Sequence, residues 1–304
     1  MSAAVSIREL TRRFGDVVAV DGLSLDVEEG ELFGVVGPDG AGKTTTLRML
    51  AGVLRPSSGD ALVFGTSVAK DPEGVKPQLA YMAQRFGLYE DLTVRENIEF
   101  YADLFQVPRP ERPARLARLY HFSNLGAFED RLAGNLSGGM KQKLALSCSL
   151  IHTPRLLLLD EPTFGVDPIS RRDLWLILHE MVAEGVTIIV STSYLDEAER
   201  CDRVALLEEG RVMALDSPAA LQAGLKGELL VVWTSEARQA RERLRSVPGV
   251  RHAALFGETV HVLLEGGSEA DVRAALDDAG IDVTALERSE PSLEDLFIDL
   301  ARHG

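Results

Sequence analysis

The sequence is poor in cysteine and in aromatic residues. Its 304 residues include two cysteines, and 6% of them are aromatic. Cys148 and Cys201 show neither the spacing of a metal site nor that of a redox pair. We therefore predict two inert thiols in a reducing compartment.

Basic side chains are also scarce for the acidic content of the chain. There are 32 Lys and Arg residues against 47 Asp and Glu residues, which gives a formal net charge of −15. Broad nucleic-acid and anionic-lipid surfaces need clustered Lys and Arg. The balance therefore argues against both, and we expect no nucleic-acid partner.

Long hydrophobic runs are missing as well, and we expect no signal peptide. The longest apolar run, residues 186–190, has the length of a strand, whereas a bilayer span needs about 20 residues. The N-terminus lacks the basic and apolar regions of a signal peptide. We therefore expect a cytoplasmic protein, which could still dock on a membrane protein.

What the sequence does contain is a glycine-rich loop that fits G-x-x-x-x-G-K-[ST] at every fixed position. Residues 31–36 before it predict a short buried strand, and residues 45–54 after it predict a helix. A strand, a glycine loop and a helix together are typical of a phosphate site. The loop consists of Gly37, Pro38, Asp39, Gly40, Ala41, Gly42, Lys43, Thr44 and Thr45.

The residue types of this loop suit a nucleotide. Glycines let backbone N–H groups converge on an anion because a Cβ would block the approach. The N-terminus of the following helix adds the positive end of its dipole. We expect Lys43 to neutralise phosphate oxygens and the Thr44 hydroxyl to ligate Mg²⁺.

Two adjacent carboxylates follow the run of four leucines at residues 156–159. Four consecutive leucines indicate a strand that is buried on both faces of a parallel sheet. Asp160 at its carboxyl end would lie beside the glycine loop, where Mg²⁺ binds. Glu161 would be placed to orient or deprotonate a water molecule.

The segments around these motifs predict the rest of an α/β domain. Residues 5–10, 17–20 and 23–27 alternate as three antiparallel strands, with turns at 15–16 and 21–22. Residues 79–84 form a strand that ends at Gln84. Between that strand and Asp160 lies a helical block, residues 88–150, in which Thr93 and Glu96 form a capping box.

Two short features of this domain leave alternatives open. Ser137, Gly138 and Gly139 open the last helix of the block and would suit a second phosphate contact, although Ser is also an ordinary helix cap. Phe14 lies just ahead of a turn. Its spacing favours a core position, but an aromatic residue there could equally stack on a base.

Taken together, the motifs resemble the nucleotide-binding domain of an ATP-binding cassette (ABC) transporter. Residues 37–45 match the Walker A loop, Asp160 ends the Walker B strand, and Glu161 matches the catalytic glutamate. Gln84 matches the Q-loop, Asp167 the D-loop, and Phe14 the aromatic residue that stacks on adenine, which reverses the core interpretation. The signature sequence is matched by Leu136, Ser137, Gly138, Gly139 and Gln142.

The resemblance implies that ATP and Mg²⁺ are the ligands. It assigns catalysis to Glu161, Gln84 and Ser193, and the Mg²⁺ site to Thr44, Gln84 and Asp160. In this family two such domains meet head to tail, so the signature of one chain contacts ATP on its partner. The partners would be a second ABC ATPase domain and integral membrane permease subunits, with this chain peripheral on the cytoplasmic face of the membrane.

Two positions depart from the family pattern. Ser193 occupies the place of a histidine, and its shorter hydroxyl reaches the γ-phosphate poorly. Asp39 stands where Asn is usual and adds a carboxylate beside the phosphates. Ser193 favours a slow or asymmetric site, while full activity through a water molecule is the alternative.

Residues 217–304 lie beyond the ATP-binding domain of residues 1–216. They predict the order β-α-β-β-α-β of a ferredoxin-like domain, with its last strand at residues 281–287. Its closing residues 290–297 resemble the tail of ATPases that serve ABC-2-type exporters, including multidrug efflux systems. The extension would assist dimerisation or regulation, or be a packing appendage.

The fold class predicted is therefore α/β: a P-loop NTPase core with an antiparallel β subdomain, an inserted helical subdomain and a small C-terminal α+β domain. The function predicted is an ATPase that powers an ABC-2-type exporter of drugs or other amphipathic compounds. The alternative is a weakly hydrolysing, nucleotide-gated subunit of an asymmetric complex. A family member that acts on DNA is disfavoured because the stretch of sequence between Lys43 and Asp160 is short. A ribosomal member is disfavoured because the chain has one set of ATP-binding motifs, and the acidic balance disfavours both.

Overall fold

The computed structural model of the protein describes residues 3–303. The chain divides into two compact units, Met1–Leu215 and Asp216–Gly304. The outermost limits of the two predicted domains, residues 1 and 304, lie outside the described residues. Each unit has its own sheets and its own apolar core.

The first unit contains two sheets. One is antiparallel with the strand order β2-β1-β4-β5, and the other has six strands in the order β10-β9-β3-β8-β7-β6. In the second sheet β9, β3, β8, β7 and β6 run parallel. The strands are β1 (Ala3–Phe14), β2 (Val17–Glu28), β3 (Leu32–Val36), β4 (Ser58–Val63), β5 (Thr66–Ser67), β6 (Leu79–Met82), β7 (Leu156–Asp160), β8 (Thr187–Thr192), β9 (Arg203–Glu208) and β10 (Arg211–Asp216).

Seven α-helices are described in this unit. Helix α1 follows β3 directly after the glycine loop, and α3, α4 and α5 belong to the helical block between β6 and β7. The helices are α1 (Lys43–Leu50), α2 (Pro72–Val75), α3 (Val94–Leu104), α4 (Arg112–Ser123), α5 (Gly138–Leu150), α6 (Pro168–Ala183) and α7 (Leu195–Ala198).

The main core of the first unit joins its two sheets through α1. One cluster of side chains that are at most 1% exposed includes Ile7 and Leu10 of β1, Phe33 of β3, Leu47 of α1 and Leu158 of β7. Since β3 and β7 are buried along their whole length, they hold their carboxyl ends rigidly at one edge of the sheet. That edge carries the glycine loop and the two carboxylates.

The inserted block has a separate core formed by side chains such as Ile98, Leu119 and Leu144. Its predicted capping box is confirmed: the Thr93 hydroxyl accepts from the Glu96 N–H (3.1 Å), and the Glu96 carboxylate accepts from the Thr93 N–H (2.8 Å). The two N–H groups between them, those of Val94 and Arg95, donate to the backbone carbonyls of Arg131 (2.9 Å) and Glu129 (3.0 Å), so the N–H groups from Thr93 to Glu96 all have partners.

Two predicted elements differ in the structure. Residues 21–22 form no turn, because β2 continues from Val17 to Glu28, and the Gly22 N–H donates to the Thr11 hydroxyl of β1 (3.0 Å). Gly22 instead sits at an irregularity in the strand pairing, with a φ of 63°. The last strand of the second unit is Ala285–Ser289 rather than residues 281–287.

The second unit has one antiparallel sheet in the order β12-β13-β11-β14. Numbered within the unit this is 2-3-1-4, the strand order of a ferredoxin-like fold. The elements are α8 (Pro218–Gly224), β11 (Glu228–Trp233), α9 (Ala237–Leu244), β12 (Val250–Phe256), β13 (Thr259–Leu264), α10 (Glu269–Asp278), β14 (Ala285–Ser289) and α11 (Leu293–His303).

The structure bears on membrane-spanning segments and on the two cysteines. Among residues 3–303, none of the helices has the length and apolar character to cross a bilayer. Cys148 and Cys201 are both buried free thiols, and burial raises the pKa of each thiol well above its usual range. Both are therefore protonated and poorly reactive at neutral pH.

Candidate functional site

The glycine loop borders a cavity of about 650 Å³ at the carboxyl edge of the parallel sheet. Most of the loop lines this cavity, together with Gln84 and Glu161, which come from segments far away in the chain. Val17, Val18, Ala19 and Glu209 complete the lining and were not singled out by the sequence motifs. The structure thus brings the predicted loop, Gln84 and Glu161 to one concave surface.

Two glycines of the loop occupy positions that no larger residue would fit. A Cβ on Gly37 would lie 2.2 Å from the Leu207 carbonyl oxygen, and one on Gly42 would lie 2.5 Å from that of Ala19. Gly42 also has a φ of 97°, a conformation that L side chains rarely adopt. The two glycines therefore let the loop pack closely against the backbone of neighbouring segments, and Gly40 and Gly42 line the cavity without side chains, as a phosphate cradle requires.

Lys43 is buried, with a side chain that is 6% exposed. Its ammonium group donates to the carbonyl oxygens of Gly37 (2.7 Å) and Pro38 (3.1 Å), and it lies 3.1 Å from Glu161 Oε1. A third donation goes to Ser193 Oγ (2.9 Å). These partners hold the ammonium inside the loop, at the lining of the cavity.

Asp160 is 1% exposed and takes three hydroxyl donors. Its Oδ1 accepts from Thr44 Oγ1 (2.8 Å) and from Ser191 Oγ (2.9 Å), and its Oδ2 accepts from the Tyr81 phenol (3.1 Å). A buried carboxylate needs such partners, because desolvation of an unpaired charge is costly. Thr44 and Asp160, which were both predicted as Mg²⁺ ligands, thus lie side by side and share a direct hydrogen bond.

Glu161 is buried and has the unusual φ of 49°. Its backbone N–H donates to the Ser191 carbonyl (3.2 Å) and hydroxyl (3.0 Å), which fixes the strained residue at the end of β7. Its Oε1 accepts from Ser193 Oγ (2.7 Å). Strain of this kind is commonly found where a side chain must be held in one place for chemistry.

Ser193 thus contacts both Lys43 and Glu161. Just before it, the Thr192 hydroxyl donates to Glu197 Oε2 (2.7 Å), and Glu197, which is wholly buried, pairs with Arg171 of α6 (Nε–Oε1 3.4 Å). The Arg171 guanidinium also lies over the Tyr194 ring, at 4.4 Å from its centre. The segment after β8 is therefore anchored to α6 and α7.

Sequence reasoning missed Tyr81 and Ser191. Ser191 is the cross-strand partner of Asp160 in the β7–β8 pairing, and Tyr81 lies on β6, the other neighbour of β7. A hydroxyl residue near the carboxyl end of a strand that neighbours β7 was the available signal. It identifies these residues only when the strand order β8-β7-β6 is known.

The signature residues do not line this cavity. Ser137 caps α5 by accepting from the Met140 N–H (3.3 Å), Leu136 is buried, and Gln142 lies in the second turn of the helix. Gly138 is open to solvent, whereas a Cβ on Gly139 would lie 2.3 Å from the Ser170 Cβ of α6.

Asp167 and Phe14 also lie outside the cavity lining. Asp167 caps α6 by accepting from the N–H groups of Ile169 (3.1 Å) and Ser170 (3.0 Å), and the bond from Ser170 holds the pKa of its carboxyl below the usual range. Phe14 is 46% exposed and pairs in the strand ladder with Val17, which does line the cavity. The Arg12 guanidinium lies 4.5 Å from the centre of the Phe14 ring.

The residues present fit a Mg²⁺–nucleotide pair better than a free metal ion. Among the described residues no three or more His, Cys, Asp or Glu side chains form a metal-binding group. Thr44, Asp160 and Gln84 supply only oxygen ligands, and Mg²⁺ is commonly held by one or two protein groups plus phosphates and waters. Asp39 lines the cavity with its side chain exposed to solvent.

Comparison with known families agrees with this geometry. Residues 20–164 match the family model described as ABC transporter. Residues 218–301 match the C-terminal domain of ATP-binding proteins like DrrA1-3.

Individual relatives cover nearly the whole chain. The probable multidrug ABC transporter ATP-binding protein YbhF of Escherichia coli is 45% identical over 303 residues, which are 98% of this chain and 52% of YbhF. The chain therefore spans about half the length of that relative. The daunorubicin/doxorubicin resistance ATP-binding protein DrrA of Streptomyces peucetius is 34% identical over 314 residues, covering 99% of this chain and 93% of DrrA.

A solved structure shows the same architecture. CbiO1 from Clostridium perfringens, part of the ABC transporter complex CbiONQ, aligns with a TM-score of 0.68 and 27% identity over 74% of this chain and 92% of that one. The P-loop α/β fold class predicted from the sequence is confirmed. The chain belongs to the ATP-binding proteins of ABC transporters, in the group with a DrrA-like C-terminal domain.

Proposed function

We propose that this chain binds and hydrolyses ATP with Mg²⁺ and powers an ABC-2-type exporter of drugs or other amphipathic compounds. The observation that carries the proposal is the convergence of Lys43, the Thr44–Asp160 pair and Glu161 on one glycine-lined cavity. The names of the relatives, multidrug and daunorubicin resistance proteins, support the exporter branch.

In this proposal the loop of residues 37–45 binds the triphosphate. Its N–H groups and the start of α1 favour negative charge, and Lys43 exchanges its carbonyl and Glu161 partners for phosphate oxygens. Thr44, Asp160 and Gln84 would hold Mg²⁺, which when bound neutralises charge that develops on the phosphate oxygens. Phe14 would stack on the adenine ring.

Glu161 is proposed as the general base. Its carboxylate is held by Ser193 and by its own strained backbone, so it has one preferred orientation from which to accept a proton from water. Release of Lys43 to the phosphates would free Oε1 of one positive neighbour. Glu161 is therefore held in place by a hydrogen bond even though Ser193 stands where the family pattern has a histidine.

The proposed partners are a second cassette and membrane permease subunits. ATP bound to the second cassette would be contacted by the exposed signature residues Ser137 and Gly138. The D-loop residue Asp167 would also face that cassette. Permease contact near Gln84 and the helical block is supported by exposed aromatic side chains there, Tyr89, Phe100 and Phe105. The chain would then be peripheral on the cytoplasmic face of the membrane.

A weakly hydrolysing subunit of an asymmetric complex is the second candidate. It is favoured by Ser193, whose short side chain is engaged by Lys43 and Glu161 instead of extending beyond them. Under this proposal a different partner cassette supplies the complete site.

The decisive experiment measures ATP turnover and ATP-dependent dimerisation of the full chain. Glu161→Gln should lower turnover at least about 100-fold, as expected for loss of a general base, and should stabilise an ATP-bound dimer. Glu180→Gln is the control and should keep the parent turnover, since Glu180 is exposed on α6 and does not line the cavity. Normal turnover in Glu161→Gln would show the assignment to be wrong, and a large rise in Ser193→His would favour the second candidate.

A further inference from the structure

Tyr81 has a place in the site that the family motifs do not assign. It lies on β6, three residues before Gln84, and is half-buried against the main core. Its phenol oxygen lies 3.1 Å from Asp160 Oδ2. Arg48 of α1 also lies close to this phenol.

The two oxygens of Asp160 have different partners. Oδ1 accepts from two hydroxyls, those of Thr44 and Ser191, while Oδ2 accepts from Tyr81. A carboxylate offers about four lone-pair sites, so the three hydroxyl bonds leave about one free. If the Thr44 hydroxyl turns to a metal ion, Ser191 and Tyr81 still fix one oxygen each.

The proton of the Tyr81 phenol stays in place at working pH. A phenol has an ordinary pKa of about 10, and an ionised carboxylate can only accept hydrogen bonds. The phenol therefore remains neutral and acts as the donor, and Asp160 accepts. A donor from the strand beside β7 hinders rotation of the carboxylate about its Cβ–Cγ bond.

We propose that Tyr81 is a positioning residue for Mg²⁺: it holds Oδ2 of Asp160 so that the carboxylate meets the ion in one orientation. The inference rests on the proposed function, because it concerns the same Mg²⁺–nucleotide site. Hydrogen bonds to metal-ligating carboxylates typically change metal affinity by about 10- to 100-fold. Since Ser191 also holds Asp160, the lower end of that range applies.

The test compares nucleotide binding with and without Mg²⁺. The affinity of the full-length protein for a non-hydrolysable ATP analogue is measured by calorimetry in EDTA and across a Mg²⁺ titration. Tyr81→Phe removes only the hydroxyl. It should raise the Mg²⁺ concentration for half-maximal effect about tenfold and leave the affinity in EDTA unchanged.

Tyr120→Phe is the matched control. The Tyr120 phenol is also half-buried, and it has no hydrogen-bond partner among the described residues. Its loss should leave the Mg²⁺ titration unchanged. In an Asp160→Asn background, Tyr81→Phe should add little further effect, because the oriented carboxylate is already gone.

The outcomes separate the inference from the proposed function. A wild-type protein whose analogue affinity does not respond to Mg²⁺ contradicts the proposed function itself. A wild-type response that Tyr81→Phe leaves unchanged overturns the role of Tyr81 alone. An equal loss of affinity in EDTA and in Mg²⁺, as a misfolded variant would show, assigns Tyr81 a general structural role and also overturns the inference.

Discussion

Gly138 and Gly139 differ in the space around them, although both open helix α5. The nearest atom to a Cβ on Gly138 would be the Gly165 carbonyl oxygen at 4.0 Å. A Cβ on Gly139 would lie 2.2 Å from Ser170 Oγ and 2.3 Å from Ser170 Cβ. Gly139 therefore has a packing reason within its own chain, in addition to the contact with a partner's ATP that the family resemblance implies.

We expect Gly139→Ala to destabilise the protein by about 1–3 kcal/mol, the usual cost of overpacking. Gly138→Ala, at the neighbouring helix position, should change the free energy of unfolding by less than about 0.5 kcal/mol. Urea unfolding in a Trp233→Phe background, followed by the fluorescence of buried Trp175 in α6, measures both. The double variant Gly139→Ala/Ser170→Gly should recover most of the loss, and equal stability of the two single variants would contradict the clash.

Ser193 shows what single residues in a sequence do and do not predict. The missing histidine was visible from the motif order, and so was the proximity of Lys43, Asp160 and Glu161. The hydrogen bonds from Ser193 to Glu161 and from Tyr81 to Asp160 were not. They depend on rotamers and on strand order, which local residue patterns do not encode.

At the scale of elements, the strongest sequence signals gave the most accurate predictions. The leucine run became β7, buried on both faces, and the capping box became the start of α3. The predicted turn at residues 21–22 was wrong because long-range bonds outweigh local turn preference. Besides the bond from Gly22 to Thr11, the Asp21 N–H donates to the Gly210 carbonyl (2.9 Å) and its carboxylate pairs with Arg211.

Helix α11 is attached to the sheet of the second unit through two buried carboxylates. Asp295 accepts from His261 of β13 (2.8 Å) and from the Ser292 hydroxyl (2.7 Å), and Asp299 forms two hydrogen bonds with Arg251 of β12 (2.7 and 2.8 Å). Burial acts to raise the pKa of Asp295, but the bonds from His261 and Ser292 outweigh it and hold the pKa below its usual value of 3.8.

Asp295 makes the second unit sensitive to acid. Because the folded-state pKa of Asp295 is lowered, its contribution is complete above the unfolded value and is lost as pH falls below about 4. Asp295→Asn should cost on the order of 2 kcal/mol at pH 7 and should flatten the loss of stability between about pH 5 and 3.

The measurement uses one fluorophore. The chain has two tryptophans, so a Trp175→Phe background leaves Trp233, on β11, as the reporter of the second unit. Asp278→Asn, an exposed carboxylate on α10, is the control and should keep the wild-type pH profile. An unchanged acid slope in Asp295→Asn would exclude this carboxylate as its source.

The two units of the chain differ in how much of their structure could be predicted from the sequence. The ATP-binding unit was identified through motifs whose residues must have fixed types at fixed spacing. The second unit carries no such motif, so only its element order was predicted, and its last strand was placed four residues too early at its start. A strand with an exposed end, as residues 287–289 form, leaves a weak alternation pattern.

The two units should respond differently to nucleotide. Every residue assigned to the ligand lies in the first unit, and the two main cores share no residues. A ligand at 100 times its dissociation constant stabilises the unit that binds it by about 2.7 kcal/mol. Addition of a non-hydrolysable ATP analogue with Mg²⁺ should therefore raise the unfolding temperature of the first unit by several degrees and leave that of the second unit unchanged.

Thermal unfolding of two full-length variants measures each unit separately. Trp233→Phe leaves Trp175 as the reporter of the first unit, and Trp175→Phe leaves Trp233 as the reporter of the second. Lys43→Ala should abolish the shift in the first unit, because the proposed phosphate contact is removed. Equal shifts reported by both tryptophans would contradict this prediction. They would mean that the two units unfold together in one cooperative transition.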